Sequence, residues 1–167
     1  MPVPESGALS GAGPNRQARC GLPRERVARS GDDALAHSRT DGARGAVVVR
    51  GGQVIAEGRN APRATHDPTA HAEIAAIRAA AAALGAERLA DCDLYVTLEP
   101  CAMCAGAIVH ARIARLYYAA ADAKGGAVEH GARVFDHPQC LHRPEVYGGI
   151  GEGEAAALLR GFFRDRR

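Results

Sequence analysis

His71-Ala72-Glu73 and, further along the chain, Pro100-Cys101-Ala102-Met103-Cys104 bring together one imidazole, one carboxylate and two thiols in a fixed order. A catalytic zinc keeps three protein ligands and leaves its fourth position for water. His71, Cys101 and Cys104 are three such ligands. Two thiolates and an imidazole suit zinc rather than magnesium or calcium, which prefer oxygen, so the pattern predicts one Zn2+ per chain. A structural site would need a fourth Cys or His at short spacing, and here Glu73 follows the histidine instead. Water on zinc ionises at a pH of roughly 7. A neighbouring carboxylate can take that proton and return it to a ring nitrogen and a leaving amine. Attack on an amine-bearing ring carbon, with loss of ammonia, is hydrolytic deamination. Glu73 is the expected catalytic proton carrier.

Either motif alone is ambiguous. A histidine near a glutamate is common on helix surfaces, and C-x-x-C also fits a redox pair or a structural zinc site. No thioredoxin-like pattern accompanies this pair, and the ordered combination favours the catalytic reading. Cys20, Cys92 and Cys140 lack ligand spacing and read as free thiols. The first thirty residues are arginine-containing without an apolar h-region, so no secretory signal is expected. Five cysteines in that context predict a reducing, cytoplasmic setting rather than a disulfide framework.

These residues need elements to hold them. A β-branched run at 46–50, the Gly51-Gly52 turn and a second strand at 53–57 read as a hairpin. Residues 70–84 read as a helix with Ile74, Ile77, Ala81 and Leu84 on one stripe and Gly85 as its stop. Thr69 is the expected N-cap, which would place His71 in the first turn. A strand at 93–98, a helix at 102–110 and a strand at 114–120 follow. Residues 145–150 fit a strand or a loop, and 152–164 a helix with Leu158, Leu159, Phe162 and Phe163 on its apolar side. The order predicts an α/β fold, a three-layer α/β/α sandwich with a mixed central sheet. Both ligand segments then open helices beside strand ends, where the positive dipole end favours thiolates.

With 167 residues and 47% hydrophobic composition, the chain is long enough for one cored domain. A net charge of +2 carries no bulk signal for nucleic acid, and no apolar run reaches membrane-spanning length, so no membrane partner is expected. Composition divides the chain near residue 45. Residues 1–45 contain seven glycines, four prolines and seven arginines and no aromatic residue. That segment reads as disordered or non-native, and 46–167 as the deaminase domain.

From residue 46 onward the chain resembles the bacterial tRNA-specific adenosine deaminases of the cytidine deaminase-like superfamily. The text that carries the resemblance is His66-Asp67-Pro68-Thr69-Ala70-His71-Ala72-Glu73-Ile74, then Thr97-Leu98-Glu99-Pro100-Cys101-Ala102-Met103-Cys104-Ala105-Gly106-Ala107, then Asp122-Ala123-Lys124 and the Phe162-Phe163-Arg164 tail. The first two blocks are shared with guanine and cytosine deaminases; the last two favour the tRNA enzymes. H-x-E followed by P-C-x-x-C is the general signature of zinc nucleobase deaminases. The resemblance implies zinc on His71, Cys101 and Cys104, proton transfer by Glu73, and substrate binding by Asn60, Ala72, Phe162 and Arg164. It implies deamination of the wobble adenosine of an arginine tRNA to inosine, by a homodimer that receives the tRNA anticodon loop. Without the resemblance, Asn60 is a turn residue after a strand, and Arg160, Arg164, Arg166 and Arg167 make a basic helix end suited either to phosphates or simply to solvent.

The chain departs from the family pattern at Leu141-His142-Arg143, where Asn-His-Arg is usual, and at Gly125-Gly126-Ala127-Val128-Glu129-His130. The family's first helix and its Val-Pro-Val-Gly lead-in have no counterpart. Asp41-Gly42-Ala43-Arg44-Gly45 can be encoded GAC-GGT-GCC-CGT-GGG, which read one base later gives ACG-GTG-CCC-GTG-GG; with the next base completing the last codon, this contains Val-Pro-Val-Gly. Two other readings stay open: a free-base or nucleoside deaminase acting on guanine, cytosine or adenosine, and a catalytically impaired zinc protein.

Overall fold

The computed structural model describes residues 45–149. Their strands are β1 (Gly45–Arg50), β2 (Gln53–Arg59), β3 (Cys92–Leu98), β4 (Arg115–Ala120) and β5 (Glu145–Gly148), and their α-helices are α1 (Pro62–Thr65), α2 (Ala72–Leu84) and α3 (Ala102–Ala111). A 3-10 turn at Val134–Asp136 completes them. The strands form one mixed sheet in the order β2-β1-β3-β4-β5. β1 is antiparallel to both β2 and β3, whereas β3, β4 and β5 run parallel. The helix α3 supplies the β3-to-β4 crossover that a parallel pair requires. This is the mixed α/β sheet expected from the element order, in the cytidine deaminase-like arrangement that the resemblance implies. The ambiguous segment at 145–150 resolves as a strand at Glu145–Gly148. Neither the short α1 nor the 3-10 turn was legible in the sequence.

The hairpin forms as expected. Gly51 and Gly52 both take positive φ, 58° and 81°, a conformation that glycine enters without a Cβ penalty and that suits the twist of a two-residue hairpin. A bulge between Val48 and Val49 shifts the register of β1 against β2.

Alternation along the strands sorts the core. Ala46, Val48, Leu94, Val96, Leu116 and Tyr118 point to the face that α2 and α3 cover. Val47, Val49, Tyr95 and Tyr117 form a second buried cluster on the opposite face. Each fully buried Val or Leu contributes roughly 1.5–3 kcal/mol. The buried ridge of α2 is Ala72, Ile74, Ala76 and Ala80, while Ile77, Ala81 and Leu84 are only partly buried. The predicted stripe was therefore offset toward the large residues. Alanines win because the helix lies very close to β2: a Cβ on Gly58 would sit 2.0 Å from the Ala72 carbonyl oxygen and 2.5 Å from the Ala76 nitrogen. The expected helix over 152–164 and the segment 1–44 lie outside the described residues.

Candidate metal centre and active site

Asp67 organises the approach to α2. Its Oδ1 accepts the Thr69 N–H at 2.7 Å and the Thr69 hydroxyl at 2.6 Å. These bonds hold the Asp67 carboxyl below its ordinary value. Thr69 is thus tied backward into an Asx turn and does not cap the helix, contrary to the sequence expectation. Its carbonyl instead accepts the His71 N–H at 2.7 Å. His71 itself occupies the N-cap position, in extended conformation with φ −79° and ψ 154° and no side-chain cap. Its imidazole is released from the helix and free to point across the sheet end. Gly85 stops α2 in left-handed conformation, as expected.

Cys101 repeats this arrangement as the extended N-cap of α3, with φ −72° and ψ 173°. Cys104 follows in the first turn of α3 and is fully buried. Nδ1 of His71 lies 3.7 Å from Cys101 Sγ and 3.5 Å from Cys104 Sγ. The three ligand atoms all lie within 4.8 Å of one another, the one such cluster among the described residues. Tetrahedral zinc with bonds of about 2.0–2.3 Å separates its ligands by roughly 3.5 Å, so the donor set fits the ion in chemistry and in spacing. Burial pushes the Cys104 thiol far above its ordinary value, and Glu73 and Cys101 push it further. A divalent cation held by these residues would reverse that balance and favour the thiolates.

The cluster opens into a pocket with about 380 Å³ of empty volume, including its mouth. Its walls include Asn60, His71, Glu73, Cys101, Thr97, Glu99 and Asp122. Asn60 and Glu73, nominated from the sequence, therefore share one cavity with two of the three ligands. Ala72 does not line it and is buried in the core beside Gly58. Phe162 and Arg164 lie outside the described residues. The pocket sits past the carboxyl end of β3 and against the N-termini of α2 and α3, the usual place for a site in an α/β sheet. Thr97 Oγ1 accepts the Gly45 N–H at 3.2 Å and fastens the start of β1 there.

Three wall residues with polar side chains escaped the sequence reading: Thr97, Glu99 and Asp122. Thr97 and Glu99 stood within the quoted Thr97-to-Ala107 block, and Asp122 opened the Asp-Ala-Lys block, but nothing local marked them as pocket residues. Glu99 is buried, with its side chain wholly inaccessible. Burial alone would raise its pKa, yet N–H donation from Asp122, His130 and Glu129, and from the His130 ring, holds the carboxyl down to about 2.

Comparison with known proteins places the chain among deaminases. A family model described as MafB19-like deaminase matches residues 28–167. A tRNA-specific adenosine deaminase of Agrobacterium fabrum is 58% identical over 139 residues, covering 80% of this chain and 91% of that protein. The tRNA-specific adenosine deaminase of Rickettsia bellii is 44% identical over 135 residues, covering 80% of this chain and 93% of the relative. A solved structure from a study of A-to-I editing by tRNA:A34 deaminases at the wobble position of transfer RNA is 53% identical with a TM-score of 0.68, covering 80% of this chain and 96% of its own. A guanine deaminase structure from Nitrosomonas europaea is 27% identical with a TM-score of 0.64, covering 90% and 98% respectively.

Proposed function

The chain belongs to the family of tRNA-specific adenosine deaminases, and we propose that it converts the wobble adenosine of a tRNA anticodon loop to inosine by hydrolysis. One observation carries the reading: the His71, Cys101 and Cys104 ligand atoms converge on a pocket that also holds Glu73 and Asn60. Zinc bound there supplies Lewis acidity that lets water ionise near neutral pH. Glu73, in the same pocket, would take one proton from the water and give it to a purine ring nitrogen, then take the second from the added hydroxyl and give it to the departing ammonia. Asn60, at the end of β2, hydrogen-bonds the base and orients it. An anticodon loop is already single-stranded, so the cost of turning the base into the pocket, a few kcal/mol in a duplex, is reduced. The basic residues Arg160, Arg164, Arg166 and Arg167 suit phosphates by their charge, and Phe162 and Arg164 are assigned to the RNA by resemblance.

The same resemblance points to a homodimer working in the cytoplasm. Among the described residues no helix is long and apolar enough to cross a membrane. A surface groove lined by Ile74, Ile77, Val109 and Leu141, among others, runs between α2 and α3. Leu141 there is 76% exposed, although its carbonyl accepts a bond from Arg112 at 2.5 Å. A second copy covering this groove would remove that apolar surface from water.

Mass spectrometry of an anticodon stem-loop incubated with purified protein tests the function. Gain of inosine at the wobble position is expected, with a rate that falls steeply as salt rises because phosphate contacts release counterions. Salt-insensitive deamination of free guanine, cytosine or adenosine, with none of the stem-loop, would overturn it.

A further inference from the structure

Glu99 makes more polar contacts than any catalytic role assigned above uses. Its Oε1 accepts the backbone N–H groups of Val128, Glu129 and His130 at 3.1, 2.9 and 3.0 Å. Its Oε2 accepts the Asp122 N–H at 3.0 Å and the His130 ring at 2.7 Å. A carboxylate only accepts, so His130 Nδ1 carries the proton in that bond. Five donors from one nine-residue segment thus converge on one buried carboxylate. The same segment is fastened to the ligand turn by a second route, the Ala127 N–H bonded to the Pro100 carbonyl at 2.9 Å. Gly126 leaves room for the arrangement: a Cβ there would lie 2.5 Å from the Glu99 carboxyl carbon and 2.5 Å from the Asp122 carbonyl oxygen. Glu129 adds a side-chain tie of its own by accepting the hydroxyl of buried Tyr118.

The contacts have a direction. Glu99 lies just before Pro100 and Cys101, so its own backbone is already set by β3 and by the Glu99 N–H bond to Ala120 at 2.8 Å. The segment it gathers has no helix or strand between β4 and the 3-10 turn. One end of that segment, Asp122, lines the pocket together with Asn60 and Glu73. Asp122 Oδ1 in turn accepts the N–H groups of Lys124 and Gly125 at 3.1 and 2.9 Å, which sets the turn that follows it.

We propose that Glu99 is a positioning residue for substrate binding: its carboxylate fixes the Asp122–His130 segment against the ligand turn and thereby holds the Asp122 wall of the pocket where the RNA loop must fit. His130, in the part of the chain that departs from the family pattern, is the side chain that completes the clamp. The inference rests on the RNA reaction proposed above.

The test uses Glu99→Gln, His130→Ala and the double variant in the full zinc-loaded chain. Glu99→Gln keeps the shape of the side chain but replaces one acceptor oxygen with a donor. It should retain one zinc per chain, speed amide exchange at Asp122 and at 128–130, and raise KM for the anticodon stem-loop about tenfold with kcat little changed, as expected when a wall group is misplaced. His130→Ala removes one bond and should raise KM about threefold; in the Glu99→Gln background it should add almost nothing, because both act through one contact set. An unchanged KM in either folded variant, or a loss of kcat together with zinc, would overturn the proposal. If Glu99→Gln does not fold, His130→Ala alone decides it by the same KM criterion. Wild-type protein inactive on the stem-loop but active on a free base would sink the RNA reading separately, and the variants are then compared on that base.

Discussion

Nδ1 of His71 lies 3.5 Å from Sγ of Cys104 although 33 residues separate them in the chain. Neither residue does anything alone; together with Cys101 they frame a site for one ion beside Glu73. Purified protein should carry one zinc per chain. Glu73→Ala should keep the metal, because Glu73 is not a ligand in this arrangement, and should lower kcat by about 10²–10⁴. Cys104→Ala should lose metal and turnover together. Metal analysis alongside the stem-loop assay checks this, and stoichiometric loss of zinc from Glu73→Ala would make Glu73 a fourth ligand.

Gly58 sets the depth at which α2 meets the sheet. Gly58→Ala would drive a methyl into the Ala72 carbonyl, 2.0 Å away, and the backbone cannot yield as a flexible side chain would. Overpacking of this kind costs about 1–3 kcal/mol. Since Ala72 adjoins His71, zinc affinity should fall with stability. Urea unfolding with parallel zinc titration would show it; a variant with native stability and affinity would mean that α2 can shift freely.

The opposite face of the sheet carries a row of tyrosines in register, Tyr95 beside Tyr117 beside Tyr147. Their rings stack with centroids 4.5 and 4.8 Å apart. Tyr117 is buried and Tyr147 is 38% exposed. Tyr117→Ala should therefore cost about 3–5 kcal/mol, and Tyr147→Ala about 1 kcal/mol, mainly the lost stacking. Equal losses in chemical denaturation would contradict the burial difference.

Asp93 accepts the Arg115 Nε–H at 2.7 Å, yet burial outweighs that pairing and raises its pKa above the ordinary 3.8. A carboxyl raised on folding contributes stability that is complete below its unfolded pKa and is lost as pH rises through the folded one. Asp93→Asn should thus match the wild type in strong acid and become the more stable of the two as pH climbs from 3.8 through the folded pKa. Melting curves across that range test the sign, and a constant difference would refute it.

The missing Val-Pro-Val-Gly lead-in makes a genetic prediction. Sequencing the gene across codons 41–46 should find codons that spell Val-Pro-Val-Gly one base later, with one base missing from the guanine run ahead of Ala46. Codons unable to do so would rule out a shifted frame as the cause.

Much of the site was legible in the chain because its chemistry is written in residue types at short range. The ligand set, Glu73, the Gly51-Gly52 hairpin and the core strands all follow from spacings within a few residues, where side-chain period and backbone preference are local properties. Thr69 shows where that locality fails, since its cap propensity lost to a carboxylate two residues earlier. The α2 stripe was offset for a longer-range reason: which residues are most deeply buried depended on how closely Gly58 admits the helix. Glu99 was hidden altogether. Its role comes from an end of β3 meeting a segment that begins beyond β4, and that meeting exists only once β3 and β4 pair in parallel register. The sequence by itself determined what chemistry the chain carries and which elements would hold it. Only the tertiary structure decided which distant groups face one another, because strand order and register are set by the collective burial of both sheet faces and not by any single stretch of residues.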